Sequence, residues 1–463
     1  MLQSSTPSLP SIPSASGQNG GTNNGTPSIT NKNASPHTSL SSASISTISL
    51  YSTPPTNLSA TTSRLSIETA AAANVQQQHQ QQQKDREHSS TTLHIRARSP
   101  SQAPPTLVIR FKTHLRNTVL DVFKDRGWKE TESEADWDFH WADVHWVHEM
   151  FDHMYLAEGQ RINHFRNHYE LTRKDLLVKN MKRMIKTMEK EYGKAEGAKF
   201  DFICTSYVLP QEHALFQEEF KRNPGSVWIM KPVGKAQGKG IFLINKMSQI
   251  NQWRSKNAAG KGGGATVGGG DADGPEAYIV QRYIENPYLI GGKKFDLRIY
   301  VLCTSYSPLI VHIHRNGFCR FSNHQFTMNV KDISNLYIHA TNVAIQKHSP
   351  NYDSDKGCKW LLRNLKTYLT TKHGTQAVNT LFTDMEALVV RSLLSVQKVM
   401  IHDKHCFELY GYDILIDSDL KPWLLEVNAS PSLTAETQFD YDLKYQMLND
   451  AFDVLDLEKR LVA

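Results

Sequence analysis

From about residue 105 onward the apolar positions of this chain recur with the periods of strands and helices; before that point they do not. Leu107-Val-Ile-Arg-Phe111 has strand composition, and Trp137-Asp-Phe-His-Trp141 alternates apolar and polar residues as a half-buried strand does. Over residues 173–199, Leu177, Met181, Met184, Ile185 and Met188 repeat on one face amid Lys and Arg, which predicts an amphipathic helix. Strand patterns return at residues 227–230, 240–244 and 278–283. Between the last two, the glycines of residues 260–274 predict a flexible surface loop. Residues 295–322 read as consecutive antiparallel strands, with Asn316-Gly317 as a tight hairpin turn. A long helical region is expected over residues 360–399, then two strands, 407–416 and 423–428, flanking the turn 417–422. Strands and helices interleave without a βαβ rhythm, which favours an α+β fold class.

Residues 1–104 are rich in Ser, Thr, Pro, Asn and Gly and hold a Gln run, 76–83, broken by His79. Such a segment buries too little apolar surface to offset its ordering entropy, so a disordered low-complexity tail is expected.

Composition adds limits rather than a function. Hydrophobic residues make up 39% of the chain, enough for a core in its folded part. There is no apolar run of membrane-spanning length and no basic-then-apolar N-terminus, so neither a membrane span nor a secretory signal is expected. The five cysteines are scattered and never spaced Cys-x-x-Cys, which fits reduced thiols. Net charge is +6, and six basic against three acidic residues lie before residue 105, so the remainder is nearly neutral. Attraction to an acidic partner must then come from local patches, and no nucleic-acid partner is implied.

Chemistry concentrates in three places. In the last hairpin, Asp413 and Glu426 sit symmetrically about the turn and should face each other, with Asn428 on the same face. Apolar neighbours make two opposed carboxylates costly, and a bound magnesium ion would relieve both repulsion and desolvation. A surface hairpin with ordinary polar residues is the plainer alternative. In Lys231-Pro-Val-Gly-Lys-Ala-Gln-Gly-Lys-Gly240, glycines would let backbone N–H groups approach phosphate oxygens while lysines neutralise them. The spacing is not that of a Walker A loop, and an ordinary glycine-rich hairpin is the competing account. Lys294-Phe-Asp-Leu-Arg298 opens a strand, with Arg320 on a following one; these cations need either a polyanionic ligand or Asp and Glu partners. His140, His145, His148 and His153 lack zincin spacing and lie among aromatics, so packing is the better reading. His405 and Cys406 are adjacent on a strand and point apart. The basic helix after Arg173 is either a solvated face or a patch for an acidic protein surface.

With these residues laid out, the chain resembles the tubulin tyrosine ligase-like family, and within it the tubulin polyglutamylase branch. The resemblance runs from about residue 105 to the C-terminus. It is carried by His164-Phe-Arg-Asn-His-Tyr-Glu-Leu-Thr-Arg-Lys174, Trp228-Ile-Met-Lys-Pro232, Gln237-Gly-Lys-Gly240, Gln281-Arg-Tyr-Ile-Glu-Asn-Pro287, Lys294-Phe-Asp-Leu-Arg298, His339-Ala-Thr-Asn342 and Leu425-Glu-Val-Asn-Ala-Ser-Pro-Ser432. It implies an ATP-grasp ligase domain over 105–463, with subdomains at about 105–199, 200–290 and 291–463. Lys174 and Lys231 would contact ATP phosphates under the loop at Gln237-Gly238. Gln281, Arg282, Tyr283 and Ile284 would hold adenine through the backbone. Lys294, Phe295 and Asp296 would flank adenine and ribose, and Thr341 and Asn342 would line the same pocket. Asp413, Glu426 and Asn428 would bind magnesium. Arg298 and Arg320 would face the γ-phosphate and the incoming amino acid, with Lys444 for free glutamate.

The implied reaction joins free L-glutamate to a side-chain carboxylate in the acidic C-terminal tail of tubulin, on microtubules of the cytoskeleton, including those of a cilium, flagellum or basal body. A monomer with neither nucleic acid nor membrane as partner is the expectation. The alternatives are a glycine or tyrosine ligase of the same fold, or a non-catalytic microtubule or ciliary scaffold. A scaffold would be free to lose Asp413, Glu426 or Lys231, and all three are present.

Overall fold

The computed structural model describes residues 45–50, 107–259, 276–350, 352 and 358–460. The Gly-rich loop expected at 260–274, the Gln run and most of the expected tail lie outside the described residues. One stretch within that tail is described: β1 (Ile45–Leu50) pairs antiparallel with residues 309–314.

The N-terminal sheet is small and parallel. Its strands β2 (Arg110–Thr113), β3 (Lys129–Glu130), β4 (Phe139–Trp141) and β5 (Arg161–Ile162) lie in the order β3-β2-β4-β5. Helix α1 (Thr118–Asp125) starts where the Asn117 side chain accepts from the Val119 N–H, satisfying a first-turn donor. Pairing begins at Arg110 and Phe139, later than residues 107 and 137, although Trp137 is still buried. Helix α2 (Lys174–Tyr192) buries Leu177 and Met181, with Met184, Ile185 and Met188 packed beside them. It stops before the expected residue 199 because Gly193, at φ +92°, breaks it; a short helix, Lys194–Ala198, follows.

A second sheet is antiparallel: β6 (Ser206–Leu209), β7 (Trp228–Pro232), β8 (Phe242–Ile244) and β9 (Tyr278–Arg282), in the order β6-β9-β7-β8. Trp228, Met230, Val280 and Phe216 fill its core. The largest sheet comprises β10 (Leu289–Ile290), β11 (Lys293–Tyr306), β12 (Leu309–Gln325), β13 (Lys359–Leu361), β14 (Glu408–Ile416) and β15 (Pro422–Asn428). Its path is β1-β12-β11-β14-β15. Helix α3 (Leu362–Gln397) packs Leu365, Leu381 and Leu388 against Leu297, Ile299 and Val301 of β11. Gly374, at φ +79°, interrupts it, so the expected helical region is two helices end to end. Helix α4 (Gln438–Leu455) returns to the N-terminal sheet and sets Phe452 among Phe123, Trp128 and Phe139.

Asn316-Gly317 is not the hairpin turn. The chain reverses at Ser307-Pro308, and β12 runs on through 316 and 317. Here a bulge sets Tyr300 alone against residues 314–316. The glycine has a different reason: a Cβ at Gly317 would lie 2.3 Å from the Arg298 carbonyl oxygen. It permits close backbone approach, which a turn signal cannot be distinguished from in one dimension.

Candidate active site

A cleft of about 840 Å³, counting the part open to solvent, lies between the second and third sheets. Of the residues singled out above, Lys174, Lys231, Gln237, Gly238, Gln281, Arg282, Tyr283, Ile284, Lys294, Asp296, Thr341, Asn342, Asp413 and Glu426 line it. Phe295 does not. Strand residues alternate, so between the inward Lys294 and Asp296 its ring points into the core and packs on Phe321. Arg298, Arg320, Asn428 and Lys444 do not line it either.

The lysines on β7 and α2 are held by neutral groups and one carboxylate. Lys231 Nζ donates to Gln281 Oε1 at 2.7 Å; Gln281 Nε2 donates to Ser206 Oγ at 2.9 Å, and Ser206 Oγ donates to the Cys204 carbonyl. Burial pushes the Lys231 pKa down, only partly opposed by Glu426. Lys174 Nζ lies 3.4 Å from Glu426 and 3.3 Å from the Lys235 carbonyl, tying α2 to the glycine loop. The loop folds onto the segment after β12: a Cβ at Gly238, φ +76°, would meet Ile345 Cδ1 at 2.5 Å and Asn342 Oδ1 at 3.2 Å. The backbone N–H groups of Arg282 and Tyr283 donate to Thr205 and Val227 carbonyls.

At one end of the cleft a directional relay fixes Lys294. His339 Nε2 sits 3.2 Å from the Asp332 carbonyl, which can only accept, so this nitrogen carries the proton. His339 Nδ1 therefore accepts from the Tyr283 hydroxyl at 3.0 Å, leaving the tyrosine oxygen to accept from Lys294 Nζ at 2.9 Å. Lys294 also donates to the His339 carbonyl at 2.9 Å. Two of its three N–H donors are thus taken and the third remains for the cleft. Burial pulls Lys294 down to about 7, against the pull of Asp296, and burial with Lys294 alongside pulls His339 down to about 4. Burial drives the Tyr283 hydroxyl upward, so it stays protonated.

The opposite end is fully charge-paired. Asp413 and Glu426 do face each other across β14 and β15. The repulsion expected between them is already relieved, however. Asp413 receives Arg298 Nε at 2.6 Å and Arg298 Nη2 at 3.2 Å, and Arg320 Nη2 lies 2.7 Å away. Arg320 Nε also donates to Asp296 at 2.8 Å. The cause is register: Arg298 opposes Asp413 on β11/β14, and Asp296 opposes Arg320 on β11/β12. Burial alone would raise the Asp413 pKa, but the two guanidiniums hold it well below the usual carboxylate range. Of the two partners weighed for these arginines, Asp side chains are the ones present. Gly411 makes the packing possible, since a Cβ there would meet Pro431 Cβ at 2.8 Å and Arg298 Cδ at 3.1 Å. Glu426 differs, keeping 24% side-chain exposure against 3% for Asp413. Asn428 Nδ2 donates to the Gly411 carbonyl at 3.1 Å, leaving its amide oxygen as the available ligand atom.

Lys444 is neither free in the cleft nor solvated. On α4 its ammonium is buried, donating to the Thr434 carbonyl at 2.7 Å and to Asp440 at 2.9 Å, while Lys359 shares Asp440 at 3.0 Å. The i, i+4 spacing of Asp440 and Lys444 supplies that partner within the helix. Sequence reasoning missed His339 and the Tyr283 hydroxyl, although both lay inside quoted motifs. It also missed a buried pair, His164 Nδ1 at 2.6 Å from Glu408. His140 sits between Trp137 and Trp146, as a packed ring.

The tubulin-tyrosine ligase family model matches residues 152–461. The chain is 55% identical over 374 residues to the probable tubulin polyglutamylase TTLL9 of Bos taurus, covering 76% of this chain and 80% of that one. It is 47% identical over 358 residues to the probable tubulin polyglutamylase ttll-9 of Caenorhabditis elegans, covering 76% and 82%. The tubulin polyglutamylase TTLL5 of Homo sapiens is 34% identical over 365 residues, covering 75% of this chain and 26% of that longer protein. Cleft, sheet order and sequence converge: the chain belongs to the tubulin-tyrosine ligase family and carries its ATP-grasp-like ligase domain.

Proposed function

We propose that this chain is an ATP- and magnesium-dependent ligase that joins free glutamate to γ-carboxylates in the acidic C-terminal tails of tubulin, working at the cytoskeleton, including the cilium or basal body. The observation that carries the reading is the convergence of Lys174, Lys231, Lys294 and Glu426 on one cleft, in a chain 55% identical to a relative named for this activity.

ATP would lie with its base toward the Lys294 relay and its phosphates between Lys174, Lys231 and the loop over Gly238. The donor set at the other end fits magnesium. Glu426 is partly exposed, Asp413 keeps a second lone pair on Oδ1, and the Asn428 amide oxygen is available. Bound there, the metal would supply charge neutralisation for the phosphates. The residues of the chain do the rest by positioning. A substrate carboxylate oxygen attacks the γ-phosphorus, and ADP departs with the electron pair. The glutamate amine, having lost a proton, attacks the acyl carbon; the C–O bond to phosphate breaks and an isopeptide bond forms. Lys174 and Lys231 hold the transferring phosphoryl group and offset its charge.

The direct test is incubation of the full chain with microtubules, ATP, magnesium and labelled glutamate, glycine or tyrosine. Incorporation of glutamate alone is expected. Incorporation of glycine or tyrosine instead would reassign the amino acid, and no incorporation would leave a scaffold.

A further inference from the structure

Gln346 is a wholly buried polar residue that the chemistry above does not use and that does not line the cleft. It ends a four-residue helical turn, Val343–Gln346, and a second such turn, Leu336–His339, precedes it. The stretch 339–342 between them faces the cleft and carries Thr341 and Asn342. Helical turns this short are not stable alone, and their end carbonyls need partners from elsewhere. Gln346 supplies them. Its Nε2 donates to the Ala340 carbonyl at 2.6 Å and to the Tyr337 carbonyl at 3.2 Å. Its Oε1 accepts from the Asn323 N–H on β12 at 2.8 Å, and the Asn323 side chain donates to the Gln346 carbonyl at 2.9 Å. The Gln346 amide fits only one way round, because two of its partners can only accept and the third can only donate.

We infer that Gln346, clamped by Asn323, is a positioning residue for nucleotide binding: it sets where the 339–342 stretch stands against the cleft. Ala340, the residue it grips hardest, lies between two groups that meet the cleft walls. On one side the His339 carbonyl accepts from Lys294 at 2.9 Å. On the other the Asn342 side chain abuts Gly238, where a Cβ would come within 3.2 Å of its Oδ1. One amide thus ties both the Lys294 relay and the glycine loop to the end of β12. That strand also carries Arg320, which holds Asp296, so the nucleotide stretch and the charge-paired end share one reference. The role rests on the proposed function for the identity of the ligand as ATP.

The test measures binding of a fluorescent ATP analogue, with magnesium, to the full chain and to Q346M, Q346E and N323A, alongside urea unfolding and ligation kinetics. Q346M keeps the side-chain volume but removes the amide, so Kd should rise about tenfold or more. N323A removes one bond from a half-buried residue; Kd should rise about threefold with the urea midpoint unchanged, which decides the matter if Q346M loses its fold. Q346E still accepts from Asn323 but turns a carboxylate toward two carbonyls. It should bind worst at pH 8 and recover toward wild type at pH 6, where the protonated carboxyl can donate to Ala340. Lys294, His324, Tyr337, His339 and His348, the titratable groups around the clamp, are common to all four proteins. The readout is therefore the ratio to wild type, which should depend on pH in Q346E and not in Q346M. In ligation, KM for ATP should follow Kd while kcat and KM for glutamate stay within about twofold. Unchanged Kd in folded Q346M and in N323A overturns the inference, and so does a Q346E deficit that ignores pH. If the variants behave as expected but wild type incorporates no amino acid, the clamp stands and the proposed ligation fails. A wild type that binds no nucleotide overturns both.

Discussion

The two ends of the cleft solve the problem of buried charge in opposite ways. At the carboxylate end, Arg298, Asp413, Arg320 and Asp296 alternate in sign and satisfy one another through cross-strand contacts. At the relay end, Lys294 sits beside a phenol and a backbone carbonyl, with no carboxylate in hydrogen-bonding contact among the described residues. In the first, the two guanidiniums hold the Asp413 carboxyl well below the usual carboxylate range. The second is pulled down to about 7 and is poised to titrate. Rigidity and charge are thus kept where phosphoryl transfer would occur, and the adjustable cation is placed at the far end.

The contrast is broken most severely at Asp413. Asp413→Asn removes the anion between two buried guanidiniums, so a stability loss of about 3–5 kcal/mol is expected from urea unfolding. Glu426→Gln tests the same hairpin with the other outcome. That side chain is partly exposed, and its ion pair is with Lys174. Its loss should leave the urea midpoint unchanged and lower ligation by about a hundredfold or more, measured at saturating magnesium. Equal behaviour of the two variants would mean that the hairpin carboxylates share one role.

A smaller effect is expected at the relay. His339→Phe keeps the ring volume but removes the acceptor for the Tyr283 hydroxyl. Tyr283 can then turn away from Lys294. KM for ATP should rise about tenfold, in line with a hydrogen bond to a charged group, with kcat little changed. An effect confined to kcat would detach the relay from nucleotide binding.

How much of this was legible follows from what one dimension can hold. The Asp413–Glu426 opposition could be read from the hairpin only because two differences cancel: Ile416 pairs with Pro422, so the turn is shorter than 417–422, and a bulge at Leu425 restores the pairing of Asp413 with Glu426. The ion pairs of Arg298 and Arg320 could not. They depend on the alignment of β11 with β12 and β14, and β12 carries a bulge beside Gly317 that shifts it. Phe295 was assigned to the cleft with its neighbours although strand alternation separates it from them. Lys444 was read without Asp440, four residues earlier on the same helix turn. The relay was hidden because His339 and Tyr283 meet only when the segment after β12 folds back over the end of β9. Motif residues were visible in the sequence, whereas their partners were set by tertiary packing.

The mildest and most diagnostic break is pH. Lys294 is depressed by burial, with Asp296 and Cys204 raising it slightly and Lys231 lowering it; the neighbouring Tyr283 and His339 stay neutral through this range. Below about 7 the ammonium is charged and offers its third N–H to the nucleotide. Above about 7 it becomes neutral, so kcat/KM for ATP should fall, by up to about tenfold per pH unit over the steepest part. Stability should move the other way. Between about 7 and the ordinary lysine range, the unfolded chain holds a proton at this position that the folded chain has released. The contribution of Lys294 to folding therefore improves as pH rises through that window and is least favourable below it. Lys294→Met should abolish both trends, flattening the kcat/KM profile above 7 and making the unliganded fold more stable at pH 7 than wild type. Chemical unfolding and ATP kinetics at pH 6.5, 7.5 and 8.5 measure the two slopes. If both fall together in the wild type, the titrating group is a structural one elsewhere, and the relay has no adjustable cation.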